Sequence, residues 1–210
     1  MFLNKILPKK RVFLDYASTT PVDKSVEKIM LEAQKAFANP SALYSEALLS
    51  KEKIEEAKKN IREILNCQKE NIVFTSGGTE ANNLAILGVF EVLKDKVSSP
   101  HFITTNVEHP AVLEVFREIE KRGGEVTYLA VNEESLVRPA DVVGAIKDNT
   151  VLVSIMYANN EIGTVQPIKE IGKRIKDFKR EKEKSLPYFH TDACQAALYL
   201  SLDVLKLNVD

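Results

Sequence analysis

The sequence predicts an α/β fold in which a mostly parallel sheet is flanked by helices. Short apolar segments alternate with longer segments of helical character, and this order is typical of β-α-β units. Two of the short segments, "VLVSIMYA" and "NIVF", are apolar almost throughout, as strands covered on both faces should be. In chain order, the predicted strands are "NIVFTS", "HFITTN", "VTYLAV", "VLVSIMYA", "YFHTD" and the apolar run from Leu205 to Val209.

Helices are predicted between these strands. The segments of helical character are "TEANNLAILGVFEVL", "AVLEVFREIEKRG", "ADVVGAIKD" and "IKEIGKRIKDFKREKEK". The last of them contains "KRIKDFKREKEK", which carries ten charges in twelve residues and is typical of a solvated helix face.

A different pattern precedes this alternation and predicts an N-terminal helical segment. It comprises "VFLDYASTTPVD", a helix-like "KSVEKIMLEAQKAF", the break "ANPSA" and a long helix-like stretch through "SKEKIEEAKKNIREIL". In that stretch apolar residues recur at spacings of three, four and three, which predicts one buried face made of Ile54, Ala57, Ile61 and Ile64. We therefore expect two parts, residues 1–66 and residues 67–210.

Composition limits the function classes. A chain of 210 residues with 44% hydrophobic residues can form one large domain, or one domain and a small lobe, and its formal charge of −1 gives no reason to expect a nucleic-acid or membrane partner. Cys67 and Cys194 are far apart, so a disulfide framework or zinc site is not expected. The sequence has neither a signal peptide nor an apolar stretch near the roughly 20 residues of a membrane span, which favours a soluble, cytoplasmic protein.

Polar residues follow the predicted strands, where the ligand crevice of a doubly wound sheet lies. The loops are "TSGGTEANN", "NVEHPA", "YANNEIGTVQP" and "TDACQ". Because the carboxyl ends of parallel strands meet at one edge of the sheet, these loops would bring together Thr79, His109, Asn160, Asp192 and Gln195.

Each of these residues allows two interpretations. Gly77, Gly78 and Thr79 open a helix whose free N–H groups favour a phosphate, but a Gly-Gly turn is also ordinary strand-helix geometry. Asp192, at the end of a buried strand, would either meet a cation such as a protonated ring nitrogen or cap the helix expected near Ala193.

The remaining candidates are equally open when taken singly. His109 precedes Pro110 at a helix start, and could lie flat on an aromatic ring and exchange protons or could be a capping or surface histidine. Asn159 and Asn160 could simply form a turn, and Gln195 could lie on an exposed helix side. The prediction of a site therefore depends on the convergence of these residues.

Taken together, these segments resemble the cysteine desulfurase family, within the class V aminotransferase-like, fold-type I enzymes that depend on pyridoxal 5'-phosphate. The resemblance spans nearly the whole chain in family order, and its segments are "FLDYASTTPVD", "ANPSALYSEA", "VFTSGGTEANNLAILG", "TTNVEHPAVLE", "VSIMYANNEIGTVQPI" and "FHTDACQA". It implies that residues 67–210 form an incomplete cofactor-binding large domain, and that residues 1–66 contribute to a small lobe and a dimer-type region.

The resemblance also implies roles for the candidate residues. Gly78 and Thr79 would hold the cofactor phosphate, His109 would stack on the pyridine ring and help to move protons, and Asp192 would pair with the ring nitrogen. Gln195 would contact the phenolic oxygen.

The implied reaction converts L-cysteine to L-alanine and passes the sulfur to a cysteine as a persulfide, for iron-sulfur clusters or thio-cofactors. Asn160 would bind near the phenolic oxygen and the substrate carboxylate. Family members are homodimers, so a homodimer or a complementing C-terminal chain is implied, together with a sulfur-acceptor or scaffold protein. The segments "GGTE" and "NNEIG" resemble the bacterial nitrogen-fixation and iron-sulfur branch.

Some family features are not found in this sequence. The family's Ser-His-Lys motif, whose lysine binds the cofactor covalently, would follow Asp210, and neither Cys67 nor Cys194 matches the catalytic cysteine. Lys206 does not follow the last predicted strand and is not expected to replace that lysine, and Tyr44 stands where the family usually has His. Three interpretations follow: an N-terminal fragment of a cysteine desulfurase, a split subunit, or a non-catalytic module that retains the fold.

Overall fold

The structure is a computed structural model that describes residues 11–67 and 72–210. The chain divides into two compact units, of which the first ends at Ser50 and the second begins at Lys51. The division at residue 66, into a lobe and a cofactor-binding domain, stays a prediction.

The described part of the first unit contains helix α1 (Lys24–Ala33) and the start of helix α2 (Ser45–Leu65), which continues into the second unit. Asp23 caps α1, because its side chain accepts a hydrogen bond from the Ser25 amide at 2.7 Å. Ser50 is buried in α2 and donates a hydrogen bond to the Ala36 carbonyl at 3.2 Å.

The buried face predicted for α2 is wrong for most of its residues. Ile54 and Ile64 are 37% and 68% exposed, and Ala57 is exposed too, whereas Ile61 is half-buried. Helical spacing shows that the apolar residues share one side, but burial needs a neighbouring element, and the described part of the chain does not cover this side of α2.

The sheet lies in the second unit and is wholly parallel. Its strands are β1 (His101–Thr105), β2 (Glu125–Leu129), β3 (Thr150–Ser154) and β4 (Tyr188–His190), in the order β2-β1-β3-β4. Every residue of β1 and β3 is buried, including the polar residues His101, Thr104 and Thr105 of β1, as expected of strands covered on both faces. The predicted α/β architecture with a parallel sheet is confirmed.

Four helices flank the sheet: α3 (Gly78–Leu93), α4 (Pro110–Lys121), α5 (Pro139–Gly144) and α6 (Ile168–Glu181). One core cluster joins α3 and α4 to the sheet through Ile86, Phe90, Phe102, Phe116, Ile119 and Leu152. A second cluster joins α5 and α6 to it through Ile103, Val142, Val153, Ile171, Ile175 and Phe189. In the described ranges, no helix combines the length and apolar character needed to cross a membrane.

Two predicted strands are wrong. Residues 72–75 have no regular structure, and Val73 and Phe74 are 63% and 56% exposed. The run from Leu205 to Val209 is not a strand, because Val204–Leu207 forms the short helix α7.

Local hydrogen bonding explains the formation of α7. The Asp203 carboxylate accepts from the Lys206 amide at 3.0 Å and caps the first turn, and Asn208 ends the helix in the left-handed region at φ 56°. The cap and the left-handed residue therefore determine the backbone here in spite of the apolar composition.

The strand order places a topological switch point beside β1. The chain passes from β1 to β2 on one side and then to β3 on the other side of β1. The helices that follow β1 and β3 therefore diverge, which leaves a crevice at the carboxyl ends of these two strands.

We expect F102A to destabilise the chain strongly, because Phe102 is fully buried and its ring lies 6.2 Å from that of Phe90 and 6.0 Å from that of Phe116. The expected loss in the free energy of unfolding is about 3–5 kcal/mol by denaturant titration. The control is F37A, at a side chain that is 94% exposed, with an expected change within about 0.5 kcal/mol. Equal losses in the two variants would contradict the described core.

Candidate functional site

A cavity of about 200 Å³ lies at the carboxyl ends of β1, β3 and β4, beside the start of α3. Its lining residues are Gly78, Thr79, Asn82, His109, Ala111, Met156, Ala158, Asn160, Asp192, Cys194 and Gln195. The structure thus brings together all the residues proposed from the sequence as a site.

The start of α3 forms one wall. Gly77 precedes the helix. Because Gly77 has no side chain, it cannot cap the first main-chain N–H groups of α3. The Glu80 carboxylate reaches back to the amide and hydroxyl of Ser76, both at 2.6 Å, and fixes the turn that enters the helix. A helix start of this kind carries partial positive charge, which favours an anion.

Gly78 packs closely against the Cys194 side chain. A Cβ atom at this position would lie 2.8 Å from the Cys194 sulfur, closer than such atoms approach each other. The glycine therefore lets the start of α3 approach the turn after β4, and so brings two walls of the cavity together.

Asp192 follows β4 and is held by two hydrogen bonds. One carboxylate oxygen accepts from the Cys194 amide at 3.0 Å, and the other accepts from the Asn82 side chain at 2.7 Å. Burial raises the pKa of Asp192, but the hydrogen bonds from Cys194 and Asn82 outweigh burial and bring the pKa below its usual value. The side chain is therefore an anion in the wall of the cavity.

His190 lies two residues before Asp192 and is uncharged. Burial lowers the pKa of His190 to about 4, and its Nδ1 atom lies 2.9 Å from the Ser154 hydroxyl oxygen. Asn82 and the Cys194 amide are neutral, so they hold the carboxylate of Asp192 without cancelling its charge. The neutral His190 does not cancel that charge either. This leaves the charge available to a cationic ligand.

His109 both caps α4 and lines the cavity. Its Nδ1 atom accepts a hydrogen bond from the Ala111 amide at 3.1 Å, and Pro110 occupies the first turn. While this bond exists, the neutral ring carries its proton on Nε2. Both interpretations of His109, a cap and a residue of the site, are therefore compatible in one side chain.

The two asparagines after β3 have different positions. Asn159 forms the turn, because its Oδ1 accepts from the amides of Glu161 at 2.8 Å and Ile162 at 3.1 Å. Asn160 lines the cavity. Gln195 also lines it, but from a run of turns at 194–199 and not from the helix expected near Ala193.

Glu108 and Asn82 were not identified from the sequence as parts of the site. Glu108 is buried, and its Oε1 accepts from the Thr105 hydroxyl at 2.8 Å and the Met156 amide at 2.9 Å. Burial raises the pKa of Glu108 to about 7, and the charge of Asp192 adds to this effect. The available signal for Glu108 was a charged residue in the short loop after a buried strand. For Asn82 it was an amide on the buried side of an apolar helix.

Within the described ranges, no lysine lines this cavity, and no cluster of His, Cys, Asp or Glu could hold a metal ion. Lys206 lies in α7, where its side chain is 75% exposed and 3.0 Å from the Asp203 carboxylate. Burial raises the pKa of the Cys194 thiol to about 11, assisted by Asp192, so this thiol is protonated at neutral pH.

The comparisons with known sequences identify the family. The sequence model of the protein family described as aminotransferase class-V matches residues 12–210, and this chain belongs to that family. Within it, the chain is 45% identical to the cysteine desulfurase IscS of Methanosarcina thermophila, over 96% of this chain and 48% of that protein. It is 42% identical to the putative cysteine desulfurase IscS 1 of Bacillus subtilis, over 96% and 51%.

Solved structures give the same result for the fold. The structure titled "SspA in complex with cysteine" superposes with a TM-score of 0.82 at 41% identity, over 93% of this chain and 54% of that one. The structure titled "NIFS-LIKE PROTEIN" gives 0.85 at 30% identity, over 96% and 53%. The chain thus has the fold of cysteine desulfurases, and it spans about half the length of the curated relatives it matches.

The pKa of Glu108 predicts a pH dependence of stability. Folding raises this pKa from 4.5 to about 7. The contribution of the protonated Glu108 side chain to the free energy of unfolding is therefore complete below pH 4.5 and is lost as the pH rises through about 7. Between pH 5 and pH 9 we expect the free energy of unfolding of the wild type to fall by on the order of 3 kcal/mol relative to that of E108Q, whose side chain cannot ionise. Urea titrations of both proteins at several pH values measure the difference, and a constant difference across this range would contradict a buried neutral Glu108.

Proposed function

We propose that this chain forms the cofactor-binding part of a pyridoxal-phosphate-dependent cysteine desulfurase, which converts L-cysteine to L-alanine and transfers the sulfur as a persulfide. The observation that carries the proposal is the Asp192 carboxylate, which is held as an anion by neutral partners in a cavity that also includes the start of a helix. A small planar molecule with a cationic group for Asp192 and an anionic group for the start of the helix would match these two features.

The chemistry of the cavity fits this cofactor. The phosphate would bind at the start of α3, where Gly78 and Thr79 supply main-chain N–H groups and Thr79 adds a hydroxyl. The protonated ring nitrogen would bind Asp192, whose charge favours keeping that proton. When bound, pyridoxal phosphate supplies an electron-withdrawing ring that accepts electrons from the substrate.

Three further residues of the cavity would act on the ligand. His109 would lie against the ring, and its Nε2–H would donate or relay a proton while Nδ1 keeps the cap on α4. Gln195 would donate a hydrogen bond to the phenolic oxygen. Asn160 would bind near that oxygen and orient the substrate carboxylate.

The substrate and partners are proposed from the relatives. SspA is described in complex with cysteine, and the relatives named IscS are cysteine desulfurases. We infer L-cysteine as the substrate, a homodimer or a complementing C-terminal chain as the assembly, and a sulfur-acceptor or scaffold protein as the recipient. Sulfur delivery to iron-sulfur clusters in the cytoplasm is part of the same proposal.

Pyridoxal phosphate should bind the wild-type chain, and D192N should weaken this binding by about ten- to a hundredfold, because a hydrogen bond from the ring nitrogen to an anion is lost. Absorbance titration with the cofactor measures the affinity. The control is D95N, which makes the same change at an exposed residue outside the cavity. Equal affinities of the wild type and D192N would contradict the assignment of Asp192.

Borohydride reduction tests how the cofactor is held. Because no lysine among the described residues lines the cavity, the 210-residue chain mixed with pyridoxal phosphate and reduced should show no stoichiometric adduct by mass spectrometry. A single adduct on one lysine, for example Lys206, would mean that the cofactor is held covalently by this chain, and the proposed arrangement of the cavity would then be wrong.

A further inference from the structure

Two loops that border the cavity are joined beneath it by side chains. The first loop leaves β1 and leads through Glu108 to His109, and the second leaves β3 and leads through Met156 to Asn160. The proposed function needs His109 and Asn160 at fixed positions relative to each other. Main-chain pairing between β1 and β3 cannot fix these positions, because β1 ends at Thr105.

Glu108 replaces the missing strand neighbour. Beyond Ser154 the chain remains bonded to the end of β4 on one side, where the Ile155 amide donates to the His190 carbonyl at 3.2 Å. On the opposite side the Met156 amide donates to Glu108 Oε1 at 2.9 Å. A carboxyl oxygen thus occupies the place where a carbonyl of β1 would otherwise accept.

Two more hydrogen bonds strengthen this connection. The Thr105 hydroxyl donates to the same Glu108 oxygen at 2.8 Å, which holds the carboxyl group against the end of β1. The Asn159 side-chain amide donates to the Val107 carbonyl at 3.1 Å, which joins the same two loops a second time. The first loop is therefore bonded to the second at two consecutive residues, Val107 and Glu108.

We propose that Glu108 is the positioning residue of this cavity: by joining the end of β1 to the end of β3, it sets the position of His109 relative to Asn160. It does not line the cavity, so it acts through the two loops and not by touching a ligand. This inference deepens the proposed function and rests on it for its catalytic meaning.

The second oxygen of Glu108 supports a role for the neutral acid. Oε2 is buried and has no hydrogen-bond partner among the residues that the structure describes. The surrounding groups are the Thr105 hydroxyl from β1, the Met156 amide from the segment after β3, the charge of Asp192 after β4, and His109, which follows Glu108 in the chain. A buried oxygen without a donor, near an anion, favours the protonated carboxyl, which still accepts both hydrogen bonds at Oε1.

The test uses the 210-residue chain labelled with nitrogen-15, with E108A, E108Q and the control E133Q, which changes an exposed carboxyl group. The measurements are amide hydrogen exchange and the positions of the backbone amide signals by NMR. In E108A we expect hydrogen exchange of the Met156 amide to accelerate by about tenfold or more, and the amide signals of His109 and Asn160 to shift. E108Q keeps the acceptor and the neutral state, so it should retain wild-type exchange and signals. E133Q should also match the wild type.

A pH titration separates positioning from a merely structural role. The amide signals of Met156 and Asn160 should show an inflection near pH 7 in the wild type that E108Q lacks. Wild-type signals of His109 and Asn160 in E108A, or the same inflection in E108Q, would overturn the proposal. If E108A does not fold, T105V is the substitute variant, because it removes the hydrogen bond from the Thr105 hydroxyl to Glu108 Oε1. Unchanged amide signals of His109 and Asn160 in T105V would count against the proposal.

Cofactor binding distinguishes this inference from the proposed function. The affinity of E108Q for pyridoxal phosphate should lie within about twofold of the wild-type affinity, and the affinity of E108A should be lower by about tenfold or more. If the wild type does not bind the cofactor, the proposed function fails, whereas exchange at Met156 and the shifts of His109 and Asn160 still decide whether Glu108 positions the loops.

Discussion

The extension of β3 beyond Ser154 is the feature on which the cavity depends. On one side its backbone donates from Ile155 to the His190 carbonyl and from Tyr157 to the Asp192 carbonyl, the second at 2.8 Å. On the other side the Met156 amide donates to Glu108. These bonds place the loops after β1, β3 and β4 side by side, because each loop is attached to the same short segment. Without them, the candidate residues would share an edge of the sheet but not a defined geometry.

Much of the architecture could be predicted because it follows from burial. Strand β3 is covered on both faces, and the segment that contains it, "VLVSIMYA", is apolar almost throughout. The polar residues that follow β1 and β3 mark the crevice. The apolar residues Val73 and Phe74 gave the same signal without forming a strand, because composition does not show which neighbour a segment has. At α7, one capping aspartate was enough to override the pattern.

The contacts inside the site were harder to predict, since they join distant parts of the chain. Asn82 and Asp192 are 110 residues apart, and Glu108 and Met156 are 48 apart. Their meeting depends on the strand order, which cannot be read from periodicity. Once they meet, the environment moves the pKa values of two carboxyl groups apart: hydrogen bonds lower the pKa of Asp192, whereas burial raises the pKa of Glu108 to about 7. Because the charge of Asp192 helps to raise the pKa of Glu108, a cation bound at Asp192 would make Glu108 easier to ionise.

The outer side of β4 has a consequence for association between chains. At this edge, the Asp210 carboxylate accepts from the Phe189 amide at 2.9 Å, the Asp210 amide donates to the Phe189 carbonyl at 2.9 Å, and Lys179 lies 3.1 Å from the same carboxylate. An open strand normally offers such backbone groups to any passing strand, which promotes aggregation. Here both groups are occupied and an ion pair stands beside them, so a foreign strand would have to displace charged side chains. Among the described residues, another strand could therefore pair with Phe189 on this side of β4 only by displacing Asp210.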